Sequence, residues 1–154
     1  MNGDATTPIE FARLWLDEDE IVLYLSTYVR SHTPAVFATC VSDGGFEEPY
    51  GNLTVNLSQQ GLVLPPWHIS VKTWAENEGL ARTCQESEVF EGTEQSWALP
   101  FGSTAPIWRL ASERLPAAVA RQISQLMDWP LEGSQVPADA YDQRNGQERT
   151  TRER

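Results

Sequence analysis

Three features of the sequence predict an α+β fold, with an antiparallel sheet of about four to six strands, one short middle helix and one C-terminal helix. Ile21, Leu23, Leu25, Thr27 and Val29 alternate with Val22, Tyr24, Ser26 and Tyr28, the period-two pattern of a strand with one apolar face. Leu53, Val55 and Leu57 alternate with Asn52, Thr54, Asn56 and Ser58, which reads as a second, strongly amphipathic strand. Leu115, Val119, Ile123 and Leu126 recur at helical spacing near the end of the chain.

Taken in order, residues 9–16 form a mixed run expected as a strand. The block Asp17-Glu18-Asp19-Glu20 is expected in a turn, because four adjacent like charges are too costly to bury. A strand over 21–29 follows, then one over 35–41, started by Pro34. Ser42-Asp43-Gly44-Gly45 is a turn, since glycine takes positive φ at little steric cost. With the strand over 53–57 these make an antiparallel meander. Residues 67–71 are a further short strand. Thr73 and Glu76 are spaced as a capping box, and Gly79 can close a helix of two turns in the left-handed conformation, with Leu80 packing back. Residues 96–99 and 106–110 read as two late strands. Ser112 is expected to cap the last helix, with Pro116 in its first turn.

Length and charge bound the class. The chain has 154 residues, 40% of them hydrophobic, with 6 Trp, 5 Phe and 4 Tyr, which is enough for one folded domain. That domain is expected over 1–132, with 133–154 as a polar, disordered tail. Residues 1–132 carry 18 Asp and Glu against 7 Lys and Arg, whereas 133–154 carry 4 against 4. The net charge of −11 therefore belongs to the folded body. An acidic globular surface repels nucleic acid and anionic lipid and attracts basic protein surfaces. No basic, apolar leader precedes the domain and no run reaches the length of a membrane span, so a cytoplasmic protein with Cys40 and Cys84 reduced is expected.

No arrangement for catalysis or cofactor binding emerges. His32, His68, Cys40 and Cys84 are scattered without metal-ligand spacing. Neither cysteine has an activating motif, Ser103 lacks a nucleophile-elbow context, and Gly44-Gly45 is not a phosphate loop. No enzyme activity, metal or cofactor is expected. The Asn-x-Ser/Thr patterns at Asn52 and Asn56 are incidental in a cytoplasmic protein; Glu76 and Glu78, two apart on a helix, point to different sides, whereas Glu86 and Glu88 on a strand would present a line of charge near Glu47 and Glu48. Trp15, Tyr24, Tyr28, Trp67, Trp74, Trp97 and Trp108 are assigned to the core, with the proviso that exposed aromatics among carboxylates would make interface anchors.

The series Glu48-Pro49-Tyr50-Gly51-Asn52-Leu53-Thr54-Val55-Asn56-Leu57, then Asn77-Glu78-Gly79-Leu80-Ala81, then Pro106-Ile107-Trp108-Arg109-Leu110 resembles a family of small bacterial proteins of unknown function. These are carried on plasmids and other mobile elements and are marked by a central LTVNL strand. The resemblance spans residues 9–111. It implies a small α+β fold and a mobile-element setting, in which inhibitors of host defence are common, and it brings no catalytic residue.

Charge and composition together point to an acidic protein-binding module. The expected partner is a basic, nucleic-acid-handling protein surface of a host or defence factor, occupied by a mimic of DNA, with no direct nucleic-acid or membrane binding. The candidate contact residues are Asp17, Glu18, Asp19, Glu20, Glu47, Glu48, Glu86, Glu88, Glu91 and Glu94. The alternative is a small enzyme or ligand-binding protein with a pocket on the central sheet, lined by Tyr28, Asn52, Asn56 and His68.

Overall fold

A computed structural model describes residues 7–131 of the chain; the tail expected over 133–154 lies outside the described residues. The α+β class holds, and the strands divide into two antiparallel sheets. The first is a meander of β1 (Ile9–Leu16), β2 (Asp19–Thr27), β3 (Pro34–Val41) and β4 (Glu47–Asn52) in spatial order 1-2-3-4. The second takes β5 (His68–Ser70), β6 (Phe90–Ala98) and β7 (Thr104–Leu110) in the order 5-7-6. The helices are α1 (Glu78–Glu86) and α2 (Ala117–Met127).

The meander follows from alternation and tight turns. Ile21, Leu23 and Leu25 of β2 and Val36 and Ala38 of β3 point inward and are buried. Each fully buried Leu or Ile contributes about 1.5–3 kcal/mol. The β1–β2 connection needs only Asp17 and Glu18, with Asp17 in the left-handed region at φ 57, which Asp tolerates better than most residues. The acidic turn is thus shorter than expected. Asp19 and Glu20 belong to β2, opposite Leu16 and Trp15; at the end of a hairpin a strand residue keeps its carboxylate in water. The β3–β4 turn uses Gly44 and Gly45 at φ 89 and 86, closed by Ser42 N–H donating to Phe46 O at 2.7 Å.

Two bulges set which side chains share a face. An extra residue at Phe11 shifts the β1 register between Glu10 and Ala12, so Glu10 and Arg13 both face outward although three residues apart. Phe11 turns inward and meets Phe90 edge-on, ring centroids 5.9 Å apart. The second bulge, between Ala38 and Thr39, leaves Tyr50 of β4 unpaired.

The strand expected over Leu53–Leu57 does not form; the strand lies just before it, at Glu47–Asn52. Leu53 and Leu57 are buried, as the alternation implied, but the backbone there divides its hydrogen bonds between the sheets. Leu53 N–H donates to Val36 O of β3 at 2.8 Å, whereas Val55 N–H donates to Ser70 O of β5 at 3.1 Å and Leu53 O accepts from Lys72 N–H at 2.7 Å. Thr54 bridges to Val71, and its buried hydroxyl accepts from Val36 N–H at 3.1 Å and meets the Tyr28 hydroxyl at 3.0 Å. Alternation reports burial, and a crossover between two sheets can satisfy it as well as a ladder can.

The helices also start elsewhere than expected. Trp74 is extended and Ala75 is left-handed at φ 58, so no helix can run from Thr73, which caps nothing. Instead a 3-10 turn over Ala75–Asn77 leads into α1, and the buried Asn77 amide ties Asn52 O and Lys72 O together. Gly79 therefore lies in the first turn of α1 rather than at its end. Leu80, Ala81 and Cys84 form the buried side of that helix. Likewise Ser112 opens a separate 3-10 turn, and Leu115 is extended (φ −95, ψ 154), the conformation forced on a residue before proline. Pro116 stands just before α2 rather than inside it. Ala120, Ile123 and Met127 of α2 then reach the core. Trp67, fully buried, donates its indole N–H to Pro130 O and packs on Trp129 at 5.1 Å, fixing the segment after α2.

The late strands are longer than expected: β6 begins at Phe90 and takes in Glu91 and Glu94. Its pairing with β7 breaks between Gly92 and Ser96. Phe90, Trp108 and Leu110 face the core.

The place of Gly79 can be tested. It has no positive φ, and a methyl group there would meet only Leu16 Cδ1 at 4.0 Å. Gly79→Ala is expected to raise stability by about 0.5–1 kcal/mol, read as a higher urea midpoint with unchanged slope. A residue that ended the helix in the left-handed region would give a loss instead.

Candidate functional site

The residues expected to bind a partner fall into two groups. The first six gather at one end of the four-stranded sheet. Cross-strand register places Trp15, Glu20, Val41 and Glu47 in one row on the outer face. The inner row holds Leu14, Ile21, Cys40 and Glu48, with Asp19 one step further along β2. Asp17 and Glu18 occupy the turn beyond. Strands about 4.8 Å apart put Glu20 and Glu47, two strands distant, roughly 10 Å from each other.

Among the described residues, the basic side chain paired with these carboxylates is Arg13. Arg13 is held by Glu10 at 2.8 Å and by Glu20 at 3.3 Å, so one cation is shared by two carboxylates. Among the described residues, Asp17, Glu18, Asp19 and Glu48 form no ion pair. Their field is felt nearby. Burial first, then the negative charges of Asp19 and Glu48, push the Cys40 thiol up. Burial and then Asp19 lead the causes that raise the Tyr50 phenol.

The remaining four do not join them. Glu86 ends α1, about 12 Å along the helix axis from Glu78, and Glu88 sits in the following loop at φ 70. The line of charge that Glu86 and Glu88 would make on a strand, near Glu47 and Glu48, is therefore absent. Glu91 is neutralised: Arg109 donates to it at 2.9 Å while also holding Glu113 at 2.6 Å, and Arg114 lies 3.8 Å away. Glu94 occupies the irregular middle of β6. Glu76 is paired with Lys72 at 3.0 Å.

Exposed aromatics distinguish the sheet end from the rest of the acidic surface. Trp15 is 66% exposed, Phe46 74% and Tyr50 42%. The assignment of Trp15 to the core is thus corrected, while Trp67 and Trp108 are buried as expected. Trp15 lies between Leu14 and Leu16 on β1, and inward-facing neighbours on both sides oblige it to face out. That parity is legible in the sequence. Phe46 is exposed for an equally local reason: a large apolar residue directly after Gly44-Gly45 sits at a hairpin tip, beyond reach of any core.

One carboxylate is fixed in place. Glu47 Oε1 accepts from the Tyr24 hydroxyl at 2.6 Å and from the Thr39 hydroxyl at 2.7 Å. Tyr24 is itself stacked on Phe37, with ring centroids 5.3 Å apart and planes 16° from parallel. The hydrogen bond from Tyr24, then that from Thr39, holds the Glu47 carboxyl below its usual range.

The alternative pocket does not assemble. The Tyr28 hydroxyl is turned to Thr54, and Asn52 lies apart from the other three, lining a groove with Phe37 and Pro49. Asn56 bonds Ser31, Thr33 and Ser58. His68 Nδ1 lies 2.8 Å from Pro66 O. Among the described residues no three of His, Cys, Asp and Glu converge to hold a metal ion. Both cysteines are free, and burial pushes the Cys84 thiol up to about 12, which leaves it un-ionised and unreactive. No helix among the described residues is long and apolar enough to cross a membrane. Comparison with family models, curated proteins and solved structures returns no match.

The Tyr24–Glu47 bond has a pH signature. The bond to Glu47 raises the Tyr24 phenol from 10.0 to about 12. Its stabilisation is complete below pH 10 and is lost as pH rises through the folded value. The share from Glu47 is present above the ordinary carboxylate range and is lost as pH falls through the lowered one. A tyrosinate absorbance titration should find a phenol ionising near 12, and Glu47→Gln should bring it back toward 10. A titration unchanged by that substitution would assign the late phenol elsewhere.

Proposed function

We propose that this protein is an acidic binding module that docks the turn-bearing end of its four-stranded sheet on a basic surface of another protein. The observation that carries the reading is the gathering of Asp17, Glu18, Asp19, Glu20, Glu47 and Glu48 around the exposed Trp15, Phe46 and Tyr50. The two ingredients do different work. Uncompensated carboxylates steer a cationic partner and stand where a nucleic acid's phosphates would stand. Aromatic side chains among them supply apolar area that is removed from water on contact, the usual anchor of a protein interface.

A basic surface that handles nucleic acid fits this chemistry best, since it is already shaped to accept closely spaced negative charge. The protein would then act by occupying that surface, as a mimic of DNA, and would need no cofactor. The same charge keeps it from binding nucleic acid or an anionic membrane directly. The resemblance to mobile-element proteins favours a host or defence factor as the target and an inhibitory outcome, in the cytoplasm where such factors act.

Competition against double-stranded DNA for a purified basic DNA-binding domain tests the reading. The native chain should displace DNA at low salt and lose affinity as salt rises. A variant carrying Asp17→Asn, Glu18→Gln, Asp19→Asn and Glu48→Gln should bind at least about tenfold more weakly. Glu86→Gln, Glu88→Gln and Glu94→Gln together should change little. Affinity indifferent to salt, or equal loss in both variants, would contradict the assignment of this end.

A further inference from the structure

Beside the acidic end, a shallow groove of about 480 Å³ runs along β3 and β4 on the outer face of the sheet. It is lined by Phe37, Thr39, Glu47, Pro49, Tyr50 and Asn52. Its walls are mainly apolar and aromatic, yet a charged acceptor stands at one end. Both hydroxyls that hold Glu47 donate to the same oxygen, Oε1. Oε2 has no hydrogen-bond partner among the described residues. The carboxylate is therefore oriented in advance, with one oxygen fixed by the sheet and the other left to accept.

We infer that this groove receives an arginine side chain of the partner, presented by an extended segment, with Glu47 as the acceptor and Tyr24 and Thr39 as the groups that position it. The inference rests on the docking reading above and names the chemistry recognised at that surface.

Three observations favour arginine. Its guanidinium is planar and weakly hydrated, so it stacks on aromatic faces, and the half-buried Phe37 ring, already stacked on Tyr24, lines the same groove as Glu47. A lysine ammonium is a compact, strongly hydrated charge that gains less from such a wall. Among the described residues, Arg13 on this face does not compete, because it is engaged by Glu10 and Glu20. Finally, β4 is an edge strand, but Pro49 offers no N–H and the bulge at Tyr50 interrupts its ladder. An extended segment is therefore recognised through a side chain lying in the groove and not by extending the sheet.

The test measures binding of a short arginine homopeptide and a lysine homopeptide of equal length to the full chain, by calorimetry at low salt. The native protein should prefer the arginine peptide by about tenfold. Glu47→Gln should abolish the preference while leaving weaker, salt-sensitive binding of both peptides through Asp17, Glu18, Asp19 and Glu48. Tyr24→Phe keeps the ring stack and removes only the hydroxyl that orients Glu47, so it should diminish the preference without changing the thermal midpoint by more than a small amount. Equal affinities in the native chain, or a preference that survives Glu47→Gln, would overturn the arginine site and leave the docking reading standing. Failure of both peptides to bind the native chain would remove both.

Discussion

The backbone of Leu53 and Val55, with the Thr54 hydroxyl between them, hydrogen-bonds to two different sheets, and the arrangement of the whole molecule depends on that division. A four-stranded meander alone would leave Ile21, Leu23, Leu25, Val36 and Ala38 facing water. A three-stranded sheet alone would leave Ile69, Trp108 and Leu110 in the same position. The crossover brings the second sheet under the first and closes one core between them. The strip itself passes through that interior, so its polar groups need partners there. Thr54 and Asn77 supply them: the hydroxyl takes the Val36 N–H, and the amide takes the carbonyls of Asn52 and Lys72. A buried donor left without an acceptor costs about 1–3 kcal/mol, which is a sizeable part of the stability of a domain this small.

The same constraint makes the candidate site. Once the inner face of the meander is covered, the outer face and the turn end are what remain for solvent. The hairpin of Asp17 and Glu18, the starts of β2 and β4 and the tip at Phe46 all fall at one end because the strands are antiparallel and joined by short turns. Carboxylates separated by up to 31 positions in the chain, Asp17 and Glu48, are thereby assembled at one end. Local bonds then refine the surface: the Phe11 bulge lets Glu10 and Glu20 share Arg13, and Tyr24 with Thr39 fixes Glu47.

How much of this was legible in the sequence depended on whether the signal was local. The α+β class, the meander, β1 to β3 and the glycine turn follow from alternation and turn chemistry alone. The Leu53–Leu57 segment misleads because its alternation reports burial faithfully while its hydrogen bonds are set by partners far along the chain. The first helix starts late because Ala75 takes a left-handed conformation that nothing in its own identity announces, and α2 starts late because Pro116 imposes an extended Leu115. At the site, the carboxylates of Asp17 to Glu20, Glu47 and Glu48 can be read from the sequence one by one, but their meeting at one sheet end depends on strand register, and the neutralisation of Glu91 requires Arg109 from a strand eighteen positions away. Trp15 betrays its exposure by parity with Leu14 and Leu16. The fixing of Glu47 by Tyr24 was beyond reach, since it depends on the register of three strands.

The central claim is that the crossover strip makes the two sheets a single cooperative unit. Native-state amide hydrogen exchange measures this most directly, because each amide reports the free energy of the opening that exposes it. The amides of Val36, Leu53, Val55 and Lys72 should be among the slowest, and core amides of β2 and β7 should exchange with the same free energy as they do. If the second sheet exchanged at a distinctly lower free energy than the first, or if the strip's amides exchanged as fast as those of the exposed turns, the two sheets would be opening independently and the account would be wrong.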